Sequence, residues 1–492
     1  MEKKVESLQD KTISGFSWSF LDKVVNIFLQ FVVGIILARL ITPEEFGIIG
    51  VSTIFISILP IFVDGGFSYS LIQKNNCTET DYSSVFYFNL VIAVFLYAFL
   101  YLTAPFFADF FKLIELTLVL RVMGLSLIIS ALGSVQGVIL SKKINFKALT
   151  KISLFAQVVG ATLGIGLAYQ GYGVWALVYR TLVVTFLSKA LLYFVNDWRP
   201  KAIFSFSSIK NLFSFGSKLM ASLLLNAAFN NIYYFVIGKF YTPLQLGYFT
   251  RAELFSKLPS EGITSIVNKV SFPVLANLQD DLIKLKSGYK KLITLVMFIT
   301  FIIVFGLAAS AKDLIITLIG NDWIPSIYYL QLLCFSAVLY PLHALNLNIM
   351  NVKGRSDLFL KTEIIKKVGM IPIILLGIFI SIEAMLIGMI FFSTASFFLN
   401  AWLGGRLINY AVKEQLTDVT PSIGFGVVIA GLMYGAGLLS STIASHWILL
   451  IQILTGVIFI YILGEVTSYA PYKIFKQIIV SKLLVPLKRA NT

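Results

Sequence analysis

At 492 residues the chain is 58% hydrophobic and only 13% charged, with a mean hydropathy of +0.87. Soluble proteins carry about 25% charged residues, so composition excludes a soluble domain and points to an integral membrane protein. A formal net charge of +15 would suit nucleic acid, but the basic residues fall in short loops between apolar spans, where topology accounts for them. Cys77 and Cys334 give no disulfide framework, and His343 and His446 stand far apart and read as structural. No metal, cofactor or nucleic-acid partner is expected.

A span needs about 20 apolar residues. By that measure about fourteen follow one another, near residues 15–40, 46–73, 82–106, 115–140, 149–169, 173–195, 213–239, 246–275, 290–310, 325–352, 359–381, 383–404, 422–442 and 446–470. The eighth carries the most charge. Residues 1–12 are polar, show no cleavable signal and are expected to lie as a short amphipathic helix on the membrane surface. Basic residues mark every second loop, beginning with Lys3, Lys4 and Lys11 and continuing at Lys142, Lys143, Lys147 and Lys151. Arg199, Lys201 and Lys210 follow, then Lys284, Lys286, Lys290 and Lys291, then Lys353, Arg355 and Lys361. Lys473, Lys476, Lys482, Lys488 and Arg489 close the series. Positive loops stay inside, so both termini are expected in the cytoplasm.

One stretch is written twice. Asp22–Gly47 laid over Ser222–Gly247 sets Asn26 on Asn226, Gln30 on Asn230, Arg39 on Lys239, Thr42-Pro43 on Thr242-Pro243 and Gly47 on Gly247. A weaker echo pairs Lys142–Leu149 with Lys353–Leu360. The copies run in the same direction, which makes a parallel repeat about an axis along the membrane normal. The expected fold is an all-α polytopic membrane protein of two six-helix lobes around a central cavity. The lobes are residues 1–200 and 201–412, and residues 413–492 add two helices and a basic tail.

Polar groups inside spans are costly and face an aqueous interior or a partner helix. Asp22, Asn26 and Gln30 recur every fourth residue, as do Lys218, Ser222, Asn226 and Asn230, so each set lies on one helix face. Span one adds Lys23, span two Asp64, span six Arg180 and Lys189, and span eight Arg251, Glu253, Lys257, Glu261 and Lys269 around Pro259. A cavity lined by Lys23, Lys218, Arg251 and Lys257 would bind phosphate oxygens through charge-assisted hydrogen bonds. Asn26, Gln30, Ser222, Asn226 and Asn230 would then meet sugar hydroxyls, and Asp22 or Asp64 would carry a coupling ion. The plainer alternative is mutual pairing, Glu253 with Lys257 and Asp22 or Asp64 with Lys23, while Lys23, Lys189 and Lys218 snorkel to the interface. No Gly-rich phosphate loop is present, which argues against direct ATP use.

Several runs resemble bacterial polysaccharide flippases of the Wzx type, in the branch with colanic acid and teichuronic acid exporters. They are Leu37-Ala38-Arg39 through Thr42-Pro43-Glu44-Glu45-Phe46-Gly47, Phe62-Val63-Asp64-Gly65-Gly66, Gly171-Tyr172-Gly173-Val174-Trp175-Ala176-Leu177, Trp198-Arg199-Pro200, Leu278-Gln279-Asp280-Asp281 and Gly354-Arg355-Ser356-Asp357. The resemblance implies the multidrug/oligosaccharidyl-lipid/polysaccharide exporter superfamily. It also implies movement of an undecaprenyl-pyrophosphate-linked oligosaccharide from the inner to the outer leaflet of the cytoplasmic membrane, coupled to H+ or Na+. A closed two-lobe cavity works as a monomer, and membrane lipids and a polysaccharide polymerase complex are the expected partners. Murein-precursor flippases carry an Arg-Asp pair where this chain has Val33-Gly34, which counts against that substrate. The rivals are a multidrug/cation antiporter of the same fold, a membrane polysaccharide polymerase or ligase, and a structural partner in a synthesis complex. The basic stripe of span eight argues against the first, the short outer loops against the second and the matched polar stripes against the third. An enzyme is not expected.

Overall fold

The computed structural model describes residues 8–479. The remaining residues, with Lys3, Lys4, Lys482, Lys488 and Arg489 and most of the expected surface helix, lie outside the described residues. Every regular element among the described residues is a helix. The chain packs as two compact units, Met1–Gly247 and Tyr248–Thr492.

The first unit contains α1 (Leu8–Leu40), α2 (Pro43–Asp64), α3 (Phe67–Gln73), α4 (Glu79–Phe111), α5 (Leu116–Lys142), α6 (Phe146–Tyr169), α7 (Val174–Val195) and α8 (Phe206–Phe240). The next helix, α9 (Pro243–Ala276), starts there and runs into the second unit. The second unit continues with α10 (Leu282–Ala309), α11 (Ala311–Ile319), α12 (Ser326–Ala337), α13 (Tyr340–Val352), α14 (Ser356–Phe379), α15 (Ile382–Arg406), α16 (Val412–Leu439), α17 (Ser445–Thr467) and α18 (Ala470–Ile479).

Twelve spans among the described residues are long and apolar enough to cross a membrane, one of them, Ser326–Val352, formed by α12 and α13 together. Two further expected spans fall on α9 and α14, which run 34 and 24 residues. They fall short in composition and not in length: α9 carries the span-eight charges, and α14 carries Lys361, Glu363, Lys366 and Lys367.

In the first unit α4 packs on α5, α6 on α7, and α1 on α6. Phe67, Leu71, Val85, Phe86, Val135, Val138, Ile139, Ile209 and Leu212 form one core there. Apolar contact alone does not drive helices together in lipid, so small residues that allow close approach matter more. Gly160 faces Val184 and the Arg180 carbonyl across the α6–α7 seam. The repeat assigns α8 to the second lobe, yet it packs against α2, α3 and α4. Three local contacts explain this. Gly216 sits against the backbone of Gly65 and Gly66, Ser70 Oγ donates to the Leu212 carbonyl at 2.9 Å, and Asn231 Nδ2 donates to Ser57 Oγ at 2.8 Å.

The second unit is built on α10 against α16, with α17 behind α16 and α15 packed on α12, α13 and α14. Phe298, Phe425, Ile429, Met433 and Tyr472 form its core beside α18. The last two spanning helices, expected as an addition, therefore supply part of this unit's interior.

Both copies of the repeat fold alike. Thr42 and Thr242 each start a helix whose N3 side chain returns to the cap, Glu45 Oε2 accepting from Thr42 N at 3.0 Å and Gln245 Oε1 from Thr242 N at 3.1 Å. The weaker echo is displaced by one residue. Asn145 and Arg355 hold the same backbone angles (φ −89°, ψ 58° and φ −95°, ψ 60°), each after a left-handed residue, Ile144 or Gly354. A β-branched residue at φ 56° is an outlier that only surrounding structure can hold.

Candidate functional site

The polar stripes behave differently in the two copies. On α1, Lys23 and Gln30 are exposed, while Asp22 and Asn26 are half-buried against α6. Asn26 Nδ2 donates to Asp22 Oδ1 at 3.0 Å and to Ser153 Oγ of α6 at 3.1 Å. Asn26 Oδ1 is buried with no hydrogen-bond partner among the described residues. On α8, Lys218, Ser222, Asn226 and Asn230 are all exposed along one face. The buried residues of α8 include Leu212 and Gly216 before the stripe and Asn231, Val236 and Ile237 beyond it, so the helix packs at its two ends and leaves the polar stripe exposed between them.

Asp64 ends α2, where Gly65 (φ 56°) and Gly66 (φ 78°) break the chain into α3. Only glycine takes two such angles in a row without strain. A Cβ on Gly66 would overlap the Gly216 carbonyl. Asp64 accepts from Ser68 Oγ and lies within the electrostatic reach of Lys189. The Lys189 stem packs on Gly133 of α5, and the Arg180 stem packs on Gly164 of α6. Arg180 Nε is buried without a partner among the described residues.

On α9, Glu253 is buried and Lys257 half-buried, and Lys257 Nζ lies 2.8 Å from Glu253 Oε1. The pairing foreseen as the plainer alternative therefore forms. Arg251 and Lys269 are half-buried on the same helix, and Glu261 is exposed. No ion pair of Lys23 with Asp22 or Asp64 is present among the described residues.

The motif residues behind the family resemblance are caps and turns. Glu45, which closes the α2 cap, also accepts from Val174 N at 3.0 Å, so the Thr-Pro-Glu-Glu and Gly-Tyr-Gly-Val runs meet. Gly171 (φ 79°) and Gly173 (φ 52°) make that approach possible. Gln136 Nε2 donates to the Trp198 carbonyl at 2.8 Å, fastening the chain beyond α7 to α5. Asp281 caps α10 through Ile283 N and Lys284 N, and the Lys284 N–H holds its carboxyl below the usual range. Lys353 Nζ reaches the Gln279 carbonyl at 3.1 Å. Arg355 grips Asp357 through two nitrogens at 2.8 and 2.7 Å, which takes the Asp357 carboxyl down to about 2.

The two turns of the main repeat also touch. A Cβ on Gly47 would overlap the Pro243 carbonyl, and one on Gly247 would overlap the Pro43 carbonyl. This is a reciprocal contact of two like turns.

A family model described as "Polysaccharide biosynthesis protein" matches residues 36–328, more than half of the chain. The chain belongs to this family. Its relatives include the teichuronic acid biosynthesis protein TuaB of Bacillus subtilis, 26% identical over 72% of this chain and 73% of the relative. The lipopolysaccharide biosynthesis protein WzxC of Escherichia coli is 26% identical over 75% and 76%. The succinoglycan biosynthesis transport protein ExoT of Rhizobium meliloti is 28% identical over 64% of each. Among solved structures, the lipid II flippase MurJ in an inward closed conformation superposes with a TM-score of 0.73 at 14% identity, over 96% of this chain and 100% of MurJ. An inward-facing multidrug resistance MATE family transporter gives 0.58 at 16% identity, over 77% and 95%. At such identities the likeness speaks for the fold alone: this polysaccharide biosynthesis protein shares the helical fold of MurJ and of that MATE family transporter.

Sequence reasoning missed Asn231: next to the striped Asn230, it is the buried residue that ties α8 to α2, and spacing by fours selects its neighbour. His343, read as structural, lies buried between α13 and α15, beside Ser393 and Asn400.

Proposed function

We propose that this family member flips an undecaprenyl-pyrophosphate-linked oligosaccharide from the inner to the outer leaflet of the cytoplasmic membrane for surface polysaccharide export. The observation that carries the reading is the joining of a polysaccharide biosynthesis family match with the fold of a lipid-linked precursor flippase over 96% of the chain. The protein works by alternating access, as a monomer with both termini in the cytoplasm, and hands its product to a polysaccharide polymerase. Lys23, Lys218, Arg251 and Lys257 hold the pyrophosphate, and Asn26, Gln30, Ser222, Asn226 and Asn230 line the sugar path. Lys257 offers three donors and Glu253 engages one of them, so a phosphate oxygen shares the ammonium with Glu253. Asp22 and Asp64 are the carboxylates proposed for ion coupling. A gradient drives the cycle only if the ion binds the two access states unequally.

The test is complementation of a strain lacking its own polysaccharide flippase, with protein level checked in membranes. The wild type restores surface glycan, and Arg251→Ala and Lys257→Ala fail at normal abundance. Activity in both variants would remove these residues from the site. Drug efflux without glycan rescue by the wild type would replace the flippase reading with the antiporter.

A further inference from the structure

We propose that the seam between α6 and α7, at the end where the two helices turn, is a binding site for a lipid phosphate, with the Arg180 guanidinium as its cation. Arg180 stands six residues past Val174 (180 − 174), about 9 Å along the axis from the start of α7. Helical side chains lean toward the start of their helix, so this one leans toward the turn. Its stem is pinned. A Cβ on Gly164 of α6 would meet Arg180 Cβ, Cγ and Cδ at 3.0–3.3 Å, and Gly160, one turn earlier, faces the Arg180 carbonyl. The two glycines let α6 and α7 approach and lay the stem along the seam.

Among the described residues nothing neutralises this charge. Arg180 Nε is buried, and no hydrogen bond or ion pair to Arg180 is present there. Glu45, the carboxylate that reaches this turn, is already engaged, Oε1 by Val174 N and Oε2 by Thr42 N, each at 3.0 Å. Other arginines are provided for. Arg121 and Arg199 donate to carbonyls, Arg355 donates to Asp357, and Arg406 lies over the Trp402 ring. A lysine in such a place could give up its proton, but a guanidinium stays charged. An uncompensated charge inside a span is unfavourable, so Arg180 calls for an anion from outside the protein.

The surroundings indicate which anion. Tyr169, Tyr172 and Tyr179 are 72%, 50% and 41% exposed around the turn, and the Trp175 and Tyr179 ring centroids are 5.8 Å apart. Such rings gather at the level of lipid headgroups, where the anion at hand is phosphate. A guanidinium fork matches two phosphate oxygens. Both the phosphodiester of an ordinary phospholipid and the pyrophosphate of a transported lipid offer them. The phosphate site stands on this geometry, whereas its place in the outer leaflet rests on the topology of the flippase reading.

The full protein labelled with 15N in arginine is placed in nanodiscs of a galactolipid, which contains no phosphorus, and dephasing of 15N by 31P is recorded in the solid state. The Arg180 signal is the one missing from Arg180→Gln, or from Arg180→Lys should the glutamine variant misfold. Phosphatidylglycerol or a polyprenyl pyrophosphate is then added to the discs. The Arg180 signal is expected to dephase in the wild type. Dephasing by phosphatidylglycerol assigns the site to ordinary phospholipid, and dephasing by the pyrophosphate lipid alone assigns it to the transported one. An Arg180 signal that dephases with neither lipid would overturn the proposal. The measurement involves no transport. It can therefore fail while wild-type complementation succeeds, and complementation can fail while Arg180 holds phosphate.

Discussion

Asn230 and Asn231 are neighbours in sequence with opposite duties. Asn231 points into the α2–α8 seam and donates to Ser57, while Asn230 stands on the exposed stripe. Asn231→Ala is expected to cost about 1 kcal/mol of stability, visible as a lower melting midpoint in detergent, with glycan export retained. Asn230→Ala leaves melting unchanged and lowers export. A similar contrast tests the α9 pair. If Lys257 serves substrate, Glu253→Gln frees its ammonium and keeps export at wild-type level or above, while Lys257→Ala loses it. Equal loss of membrane abundance in both variants would mean that the pair is structural. Spacing by fours in the sequence identified the stripes, and it identified the Glu253–Lys257 pair as an alternative. It could not identify Asn231, because its meaning comes from Ser57 on the neighbouring helix and a single chain period carries no record of it.

At the scale of elements, the repeat predicted two like turns, and both form with the same caps. Their mutual packing was not legible, since a conserved spacing within each turn says nothing of where the other turn lies. Gly47 and Gly247 are the residues that permit it. Gly47→Val or Gly247→Val forces these backbones apart at a cost of about 1–3 kcal/mol. Each variant is expected to lower export, while cysteine crosslinking between the turns at Thr42 and Thr242 falls. Unchanged crosslinking with normal export would show that the close approach is unimportant. The Asp64-Gly65-Gly66 break follows the same logic. Positive angles could be expected from the glycines, but the Gly216 backbone that requires them is 150 residues away in sequence (216 − 66).

At the scale of the molecule, hydropathy located the spanning helices because lipid demands long apolar helices and leaves few other solutions. Its two weakest spans, α9 and α14, are the ones whose charge works against the apolar criterion. The family resemblance foretold the transporter fold found in MurJ. The packing of α8 into the first unit and of α16 and α17 into the core of the second was not legible, because helices bury similar apolar faces whichever neighbour they meet. The most direct test of the central claim uses the purified protein in proteoliposomes with a short polyprenyl-pyrophosphate oligosaccharide bearing a fluorophore on the sugar. A membrane-impermeant quencher then reports the leaflet. The account predicts that the wild type exposes the protected inner-leaflet pool and that Arg251→Ala slows this exposure. A protected pool that persists unchanged with folded wild-type protein, across several glycans and with a proton or sodium gradient applied, would contradict it.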